Sequence, residues 1–130
     1  MEKEGYLSLW VGNIHSDDDL REYVELKYTE DGEFEQSMFL NDFNIDIDEF
    51  DEDFIERVCY EDGVDTLSEL ISGCSYEDIV LPEILNEIED QFKDKTNAAI
   101  LLYNFDYDQN TSSVINAQYN FRFVCSVKYS

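Results

Sequence analysis

Ile115-Asn116-Ala117-Gln118-Tyr119-Asn120-Phe121-Arg122-Phe123-Val124-Cys125-Ser126-Val127-Lys128-Tyr129 places an apolar or aromatic residue at every second position, from Ile115 to Tyr129. Asn116, Gln118, Asn120, Arg122, Ser126 and Lys128 stand between them. Alternation sustained over this length predicts a long antiparallel strand with one buried face. Upstream, Asp108-Gln109-Asn110 has the chemistry of a turn. Before it, Ala98 to Tyr107 is apolar on both faces, as in a central strand. The expected class is α+β: an antiparallel β-sheet with a long C-terminal hairpin, packed against several helices.

Further outward, Leu81, Ile84, Leu85, Ile88 and Phe92 form a stripe at helical spacing. Pro82 suits the first position of that helix. Glu83, Glu87, Glu89 and Asp90 are expected to face water, and Lys93 and Lys95 to sit near the C-terminal end, where cations are favoured. Thr66 reads as the cap of a short helix that Gly73 ends. Phe54 to Tyr60 reads as a strand, and Asn44 to Asp53 as an irregular acidic loop. Ser37 caps a short helix through Phe43, and Glu30-Asp31-Gly32-Glu33 is a turn. Near the start, Tyr6 to Val11 alternates as a strand that Gly12-Asn13 breaks. Ser16 then caps a helix to about Leu26, with Asp17, Asp18 and Asp19 in its first turn and Leu20, Tyr23 and Val24 buried.

Charge sets the functional expectation. The chain has 32 Asp and Glu against 8 Lys and Arg, a net charge of −24 in 130 residues. That self-repulsion opposes folding, so a strongly basic partner is the expected benefit. Such a charge is also a mark of disorder, but nine Phe, nine Tyr and one Trp supply enough buried surface for a folded chain. The length suits one domain over residues 1–130. From Asp42 to Asp65 there are eleven carboxylates and one base, Arg57. The residues expected to meet a partner are Asp46, Asp48, Glu49, Phe50, Asp51, Glu52, Asp53, Glu61 and Asp62. Phe50, Phe54, Tyr60, Tyr76, Tyr103 and Tyr107 stand among the acids as candidate anchors, although many such rings serve as core.

Other chemistries fit poorly. With 32 acids, close carboxylate pairs arise by chance, and spacing alone is no warrant for acid/base catalysis. Asp46 to Asp53 has the oxygen density calcium favours but lacks the glycine and terminal Glu of a helix-loop-helix site. His15 is the single histidine, and Cys59, Cys74 and Cys125 form no metal knuckle. No nucleophile elbow or glycine-rich phosphate loop is present. No catalytic residue, cofactor or metal is therefore expected. Direct nucleic-acid binding is disfavoured because it draws on Lys and Arg contacts to phosphate. No secretion signal or membrane span is read, and three scattered cysteines suit reduced thiols in a cytoplasm. A monomer is expected.

Five stretches share a familiar order: Ser8-Leu9-Trp10-Val11-Gly12-Asn13, Asp42-Phe43-Asn44-Ile45-Asp46, Asp51-Glu52-Asp53-Phe54-Ile55-Glu56, Ala99-Ile100-Leu101-Leu102-Tyr103-Asn104-Phe105, and Phe121, Val124, Ser126 and Val127 of the last strand. Together they resemble the immunity protein 22 family of bacterial polymorphic-toxin systems, over about Tyr6 to Tyr129. The resemblance implies a small cytoplasmic protein that binds and blocks a cognate toxin, often a nuclease, and carries no catalytic residues. A basic toxin domain is the expected partner. The alternative is an acidic DNA mimic that blocks nucleic-acid-binding proteins.

Overall fold

Gly12 does not break the first strand; it lets two strands close on it. In this computed structural model, which describes residues 2–25, 27–28, 30–32, 34–35, 37–45, 54–108 and 111–129, strand β1 (Glu2–Ile14) runs through Gly12-Asn13 without interruption. Gly12 pairs with Ala98 on one side and Phe121 on the other. A Cβ there would lie 1.9 Å from the Asn120 carbonyl oxygen. The glycine is thus a close-approach residue, and the expected break at Gly12-Asn13 is corrected.

Around β1 stand β4 (Ile55–Thr66), β5 (Gln91–Phe105), β6 (Ser113–Ile115) and β7 (Tyr119–Lys128), in the order β4-β5-β1-β7-β6. Every pairing is antiparallel. A second sheet pairs β2 (Lys27–Tyr28) with β3 (Phe34–Glu35) across the expected turn at Glu30-Asp31-Gly32. The helices are α1 (Asp17–Val24), α2 (Met38–Asp42), α3 (Leu67–Leu70) and α4 (Glu77–Leu85). The class is α+β, as expected.

The local caps are where the sequence puts them. Ser16, Ser37 and Thr66 side chains accept from the backbone N–H groups of Asp19, Leu40 and Glu69. Leu20, Tyr23 and Val24 are buried from α1. The helix ends at Val24 with an extended Glu25 as its C-cap, short of the expected end near position 26, which lies outside the described residues.

Both sheet faces are covered, and this changes the reading of the C-terminal strand. One face carries Trp10, Ile100 and Phe121 beneath α1 and α2; the other carries Leu9, Val11, Leu101 and Val127 beneath α3 and α4. Strand β7 serves both. Trp10 pairs with Phe123 but its neighbour Leu9 pairs with Cys125, so Val124 is an extra residue, a β-bulge. A one-residue slip exchanges faces. Tyr119, Phe121 and Phe123 therefore pack beside Trp10, whereas Cys125, Val127 and Tyr129 pack on the opposite layer. The expected single buried face is two half-strands. The expected strand from Ile115 also divides. Asn116 Oδ1 accepts from Gln118 N at 2.8 Å and Tyr119 N at 2.9 Å, an Asx turn that makes β6 and β7 the C-terminal hairpin. β1 separates β7 from β5. The turn expected at Asp108-Gln109-Asn110 falls at Gln109 and Asn110, outside the described residues.

Pro82 sits inside α4, not at its expected place at the helix start, where a nine-residue helix forgoes one intrahelical bond. The helix stops at Leu85, and Gln91 already belongs to β5. Phe92 joins the same apolar cluster as Val80 and Ile84, but from a strand, so Lys93 and Lys95 are strand residues. Pairing of this part of β5 with β4, at Thr66–Gln91 and Val64–Thr96, outweighs helical spacing here. Asp90 likewise turns inward, and its Oδ1 accepts from Ser68 N and Ser68 Oγ, each at 2.8 Å.

Trp10 is fully buried and is ringed by Phe39, Phe43, Tyr107 and Phe123 at centroid distances of 5.0, 5.9, 5.2 and 5.4 Å. These edge and tilted contacts are favourable beyond area burial. Beside it, Ser8 Oγ donates to Phe105 O at 2.8 Å and accepts from Tyr107 N at 3.0 Å. The chain end beyond β5 is thereby stitched to the centre of the sheet.

Burial of ionisable hydroxyls and thiols gives the fold an alkaline limit. Desolvation, first among the causes, raises the pKa of Tyr23, Tyr103, Tyr107 and Tyr129. It pushes Tyr119 up to about 12, Cys74 to about 11 and Cys125 to about 12. In each case the folded value exceeds the unfolded one, so the stabilisation is complete below the unfolded pKa and is lost as pH rises toward the folded value. Unfolded thiols ionise near about 8.5 and phenols near about 10. The melting temperature, followed by circular dichroism with reductant present, is expected to hold to about pH 8.5 and to fall steeply from about pH 9 to 11. A flat profile through that window would mean these groups ionise as freely in the fold as outside it.

Candidate functional site

The acids of the cluster from Asp42 to Asp65 separate into different roles. Asp42 faces inward: its Oδ2 accepts from Tyr23 OH at 2.9 Å and from Tyr119 OH at 2.6 Å. It ties the end of α2 to α1 and β7. Asp46, Asp48, Glu49, Phe50, Asp51, Glu52 and Asp53 lie outside the described residues. Covalently, that segment runs from Ile45, which is buried, to Phe54, which is 43% exposed.

Glu61 and Asp62 are described and exposed. Cys59 pairs with Ala98 and Val64 with Thr96, so five steps along β4 answer two along β5. The residues between swell outward from this edge strand. Gly63, at φ +78, makes the bend and lies close to the Lys95 side chain. Tyr60, Glu61 and Asp62 are displayed on the swelling, with Tyr60 40% exposed.

The structure also sorts the aromatic residues. Tyr107 belongs to the core around Trp10, and its OH accepts from Thr111 N at 3.0 Å. Tyr103 is buried, whereas Phe54 and Tyr76 are exposed. Phe54, Tyr76 and Tyr103 meet Glu56, Ser75 and Tyr129 around a cleft of about 270 Å³. The ring centroids of Tyr76 and Tyr129 are 4.8 Å apart, those of Tyr103 and Tyr129 5.2 Å, and those of Tyr76 and Tyr103 6.0 Å.

Glu56 reaches this cleft because it shares a strand face with Val58, toward α3 and α4. Its Oε1 accepts from Tyr103 OH at 2.7 Å and from Ser75 N at 3.1 Å. Tyr103 OH also lies 2.9 Å from Ser75 O. Burial, reinforced by the Glu56 carboxylate, raises the Tyr103 pKa, so the phenol stays a donor. Asn104, in the left-handed region at φ 58, lies behind the cleft. Its Oδ1 accepts from Gly5 N and from the Tyr129 hydroxyl. Burial also raises the Cys59 thiol pKa, so none of the three free cysteines is primed as a nucleophile.

Glu56, Ser75 and Tyr129 were not singled out by sequence as site residues. Tyr129 was hidden by the assumption of one buried face along the last strand. The signal for Glu56 is its even-numbered phase with Val58 on β4.

The arrangement offers a recessed carboxylate under aromatic walls, beside an outward acidic swelling. Among the described residues no helix is long and apolar enough to cross a membrane. No curated protein and no solved structure matches the chain. Residues 7–130 match the family described as Immunity protein 22. That match covers nearly the whole chain, and this protein belongs to the Immunity protein 22 family.

Proposed function

We propose that the protein is a non-enzymatic cytoplasmic inhibitor that binds a cognate basic toxin, of nuclease type, through the acidic face centred on residues 46–53 and Glu61 and Asp62. Membership of an immunity family carries the reading. A nuclease site must attract phosphate and is therefore positively charged. Carboxylates in place of phosphates exploit that charge. The net charge of −24 supports the same partner chemistry, as does the exposed display of Tyr60, Glu61 and Asp62. Complementary charge contributes mainly to association rate and partner choice.

The test is coexpression with the toxin domain encoded beside this chain, followed by affinity capture at low and high salt. The expected result is restored growth and a 1:1 complex that weakens as salt rises. Absence of both rescue and complex would overturn the reading.

A further inference from the structure

We propose that the cleft between the start of β4 and the turn before α4 receives one arginine side chain of the bound toxin, with the guanidinium on Glu56 and against the Tyr76 ring. The inference rests on the toxin-binding reading and specifies the chemistry of its partner.

Size comes first. A cleft of about 270 Å³ is below the range of small-molecule pockets, about 300–1,000 Å³, and suits a single inserted side chain. Charge comes second. On a chain of net charge −24, a recessed carboxylate selects a cation. Glu56 Oε1 is held by Tyr103 and Ser75, while among the described residues Oε2 takes no hydrogen bond. The carboxylate is therefore oriented in advance with one oxygen left to accept, which lowers the cost of engaging a donor.

The walls distinguish the cation. Tyr76 is 53% exposed and Phe54 43% exposed, so both offer aromatic surface at the mouth. A planar guanidinium stacks on such faces and forks its N–H groups onto a carboxylate; an ammonium does so less well.

A separate observation is the backbone of Tyr76. It adopts φ 62, ψ 24, the left-handed region, at the N-terminal boundary of α4, with no side-chain cap bond. This conformation is unfavourable for a non-glycine residue by about 1–2 kcal/mol. Glycine or asparagine would serve the turn at less strain. What the tyrosine adds is its ring, set against Tyr129 over the cleft. Strain of this kind gathers at ligand clamps.

The test has two stages. First, the protein is titrated with N-acetyl-arginine amide, N-acetyl-lysine amide and N-acetyl-citrulline amide, following the Ser75 and Tyr76 backbone amides by NMR. Saturable millimolar shifts with the arginine compound are expected. Binding about tenfold weaker is expected for the neutral citrulline compound, and for the arginine compound on Glu56→Gln. The lysine compound is expected to bind more weakly than arginine. No saturation with arginine, equal binding of citrulline, or lysine binding at least as tightly would overturn the proposal. Second, Glu56→Gln and Tyr76→Asn are compared with the unaltered protein for binding to the toxin domain. Asparagine tolerates the left-handed backbone, so Tyr76→Asn is expected to melt no lower than the parent while losing about tenfold or more in affinity, chiefly as faster dissociation. Parental affinity in both variants would sink the cleft and leave the immunity role standing. If the unaltered protein fails to bind the toxin, the immunity reading falls, and the arginine titration alone decides whether the cleft is an arginine site.

Discussion

Gly12→Ala is expected to leave the protein largely unfolded at room temperature. The added Cβ would meet Asn120 O at 1.9 Å, Asn120 C at 2.8 Å and Phe121 Cα at 2.8 Å. All three are backbone atoms of β7, so no side-chain rotation relieves the overlap. The strands must part beside Trp10, between two helical layers. Overpacking in a core typically costs about 1–3 kcal/mol. Forced separation of a central strand pair belongs with the exceptional losses, above about 4 kcal/mol. Total stabilities run to about 5–15 kcal/mol, and this chain starts with heavy self-repulsion. Gly32→Ala is the control. Its φ of +82 makes alanine unfavourable, but nothing lies within 4 Å of the new Cβ, so a loss of about 1–2 kcal/mol is expected. Urea denaturation measures both. If Gly12→Ala unfolds within about 1 kcal/mol of the parent, then β1 and β7 do not approach as described.

The largest functional effect is expected in the speed of toxin capture. Opposite charge raises association rates by ~10–10³-fold, to ~10⁸–10⁹ M⁻¹s⁻¹ at low salt. Reversing Asp46, Asp48, Asp51 and Asp53 to Lys changes the charge by two units at each position, from −24 to −16 overall. Stopped-flow measurement at low ionic strength is expected to show association at least ~10-fold slower. The gap should narrow as salt shortens the Debye length from ~10 Å at 0.1 M to ~3 Å at 1 M. A second quadruple variant, with Glu30, Asp31, Glu83 and Glu87 reversed, has the same net charge, and its replaced residues are exposed. It is expected to slow association much less. Equal slowing would show that only total charge matters, and no slowing in the first variant would remove residues 46–53 from the steering surface.

Legibility followed the range of the interactions involved. Ser16, Ser37 and Thr66 were readable as caps because a cap bonds to an amide three residues away. The central strand was readable from Ala98 because burial on both faces favours an apolar run, though the strand begins earlier, at Gln91, and ends at Phe105, short of the expected Tyr107. The errors came where a distant strand overrules local pattern. Phe92 keeps helical spacing with Ile88, yet it belongs to strand β5. Gly12 looks like a stop until two other strands are placed against it. The Val124 bulge is invisible in an alternating sequence because parity looks unbroken across it. At the site, the sequence marked Phe54, Tyr76 and Tyr103 by composition. It did not mark the Glu56 carboxylate that joins them, since that depends on which way one edge strand faces.

The bulge at Val124 also partitions the molecule for the purposes of change. Residues before it answer to the tryptophan layer; those after it, including Tyr129, answer to the layer that carries the cleft. A substitution that reshapes the cleft for an altered toxin need not disturb the packing around Trp10. One half of the architecture can thus vary while the other stays constant, the two joined by a single supernumerary residue.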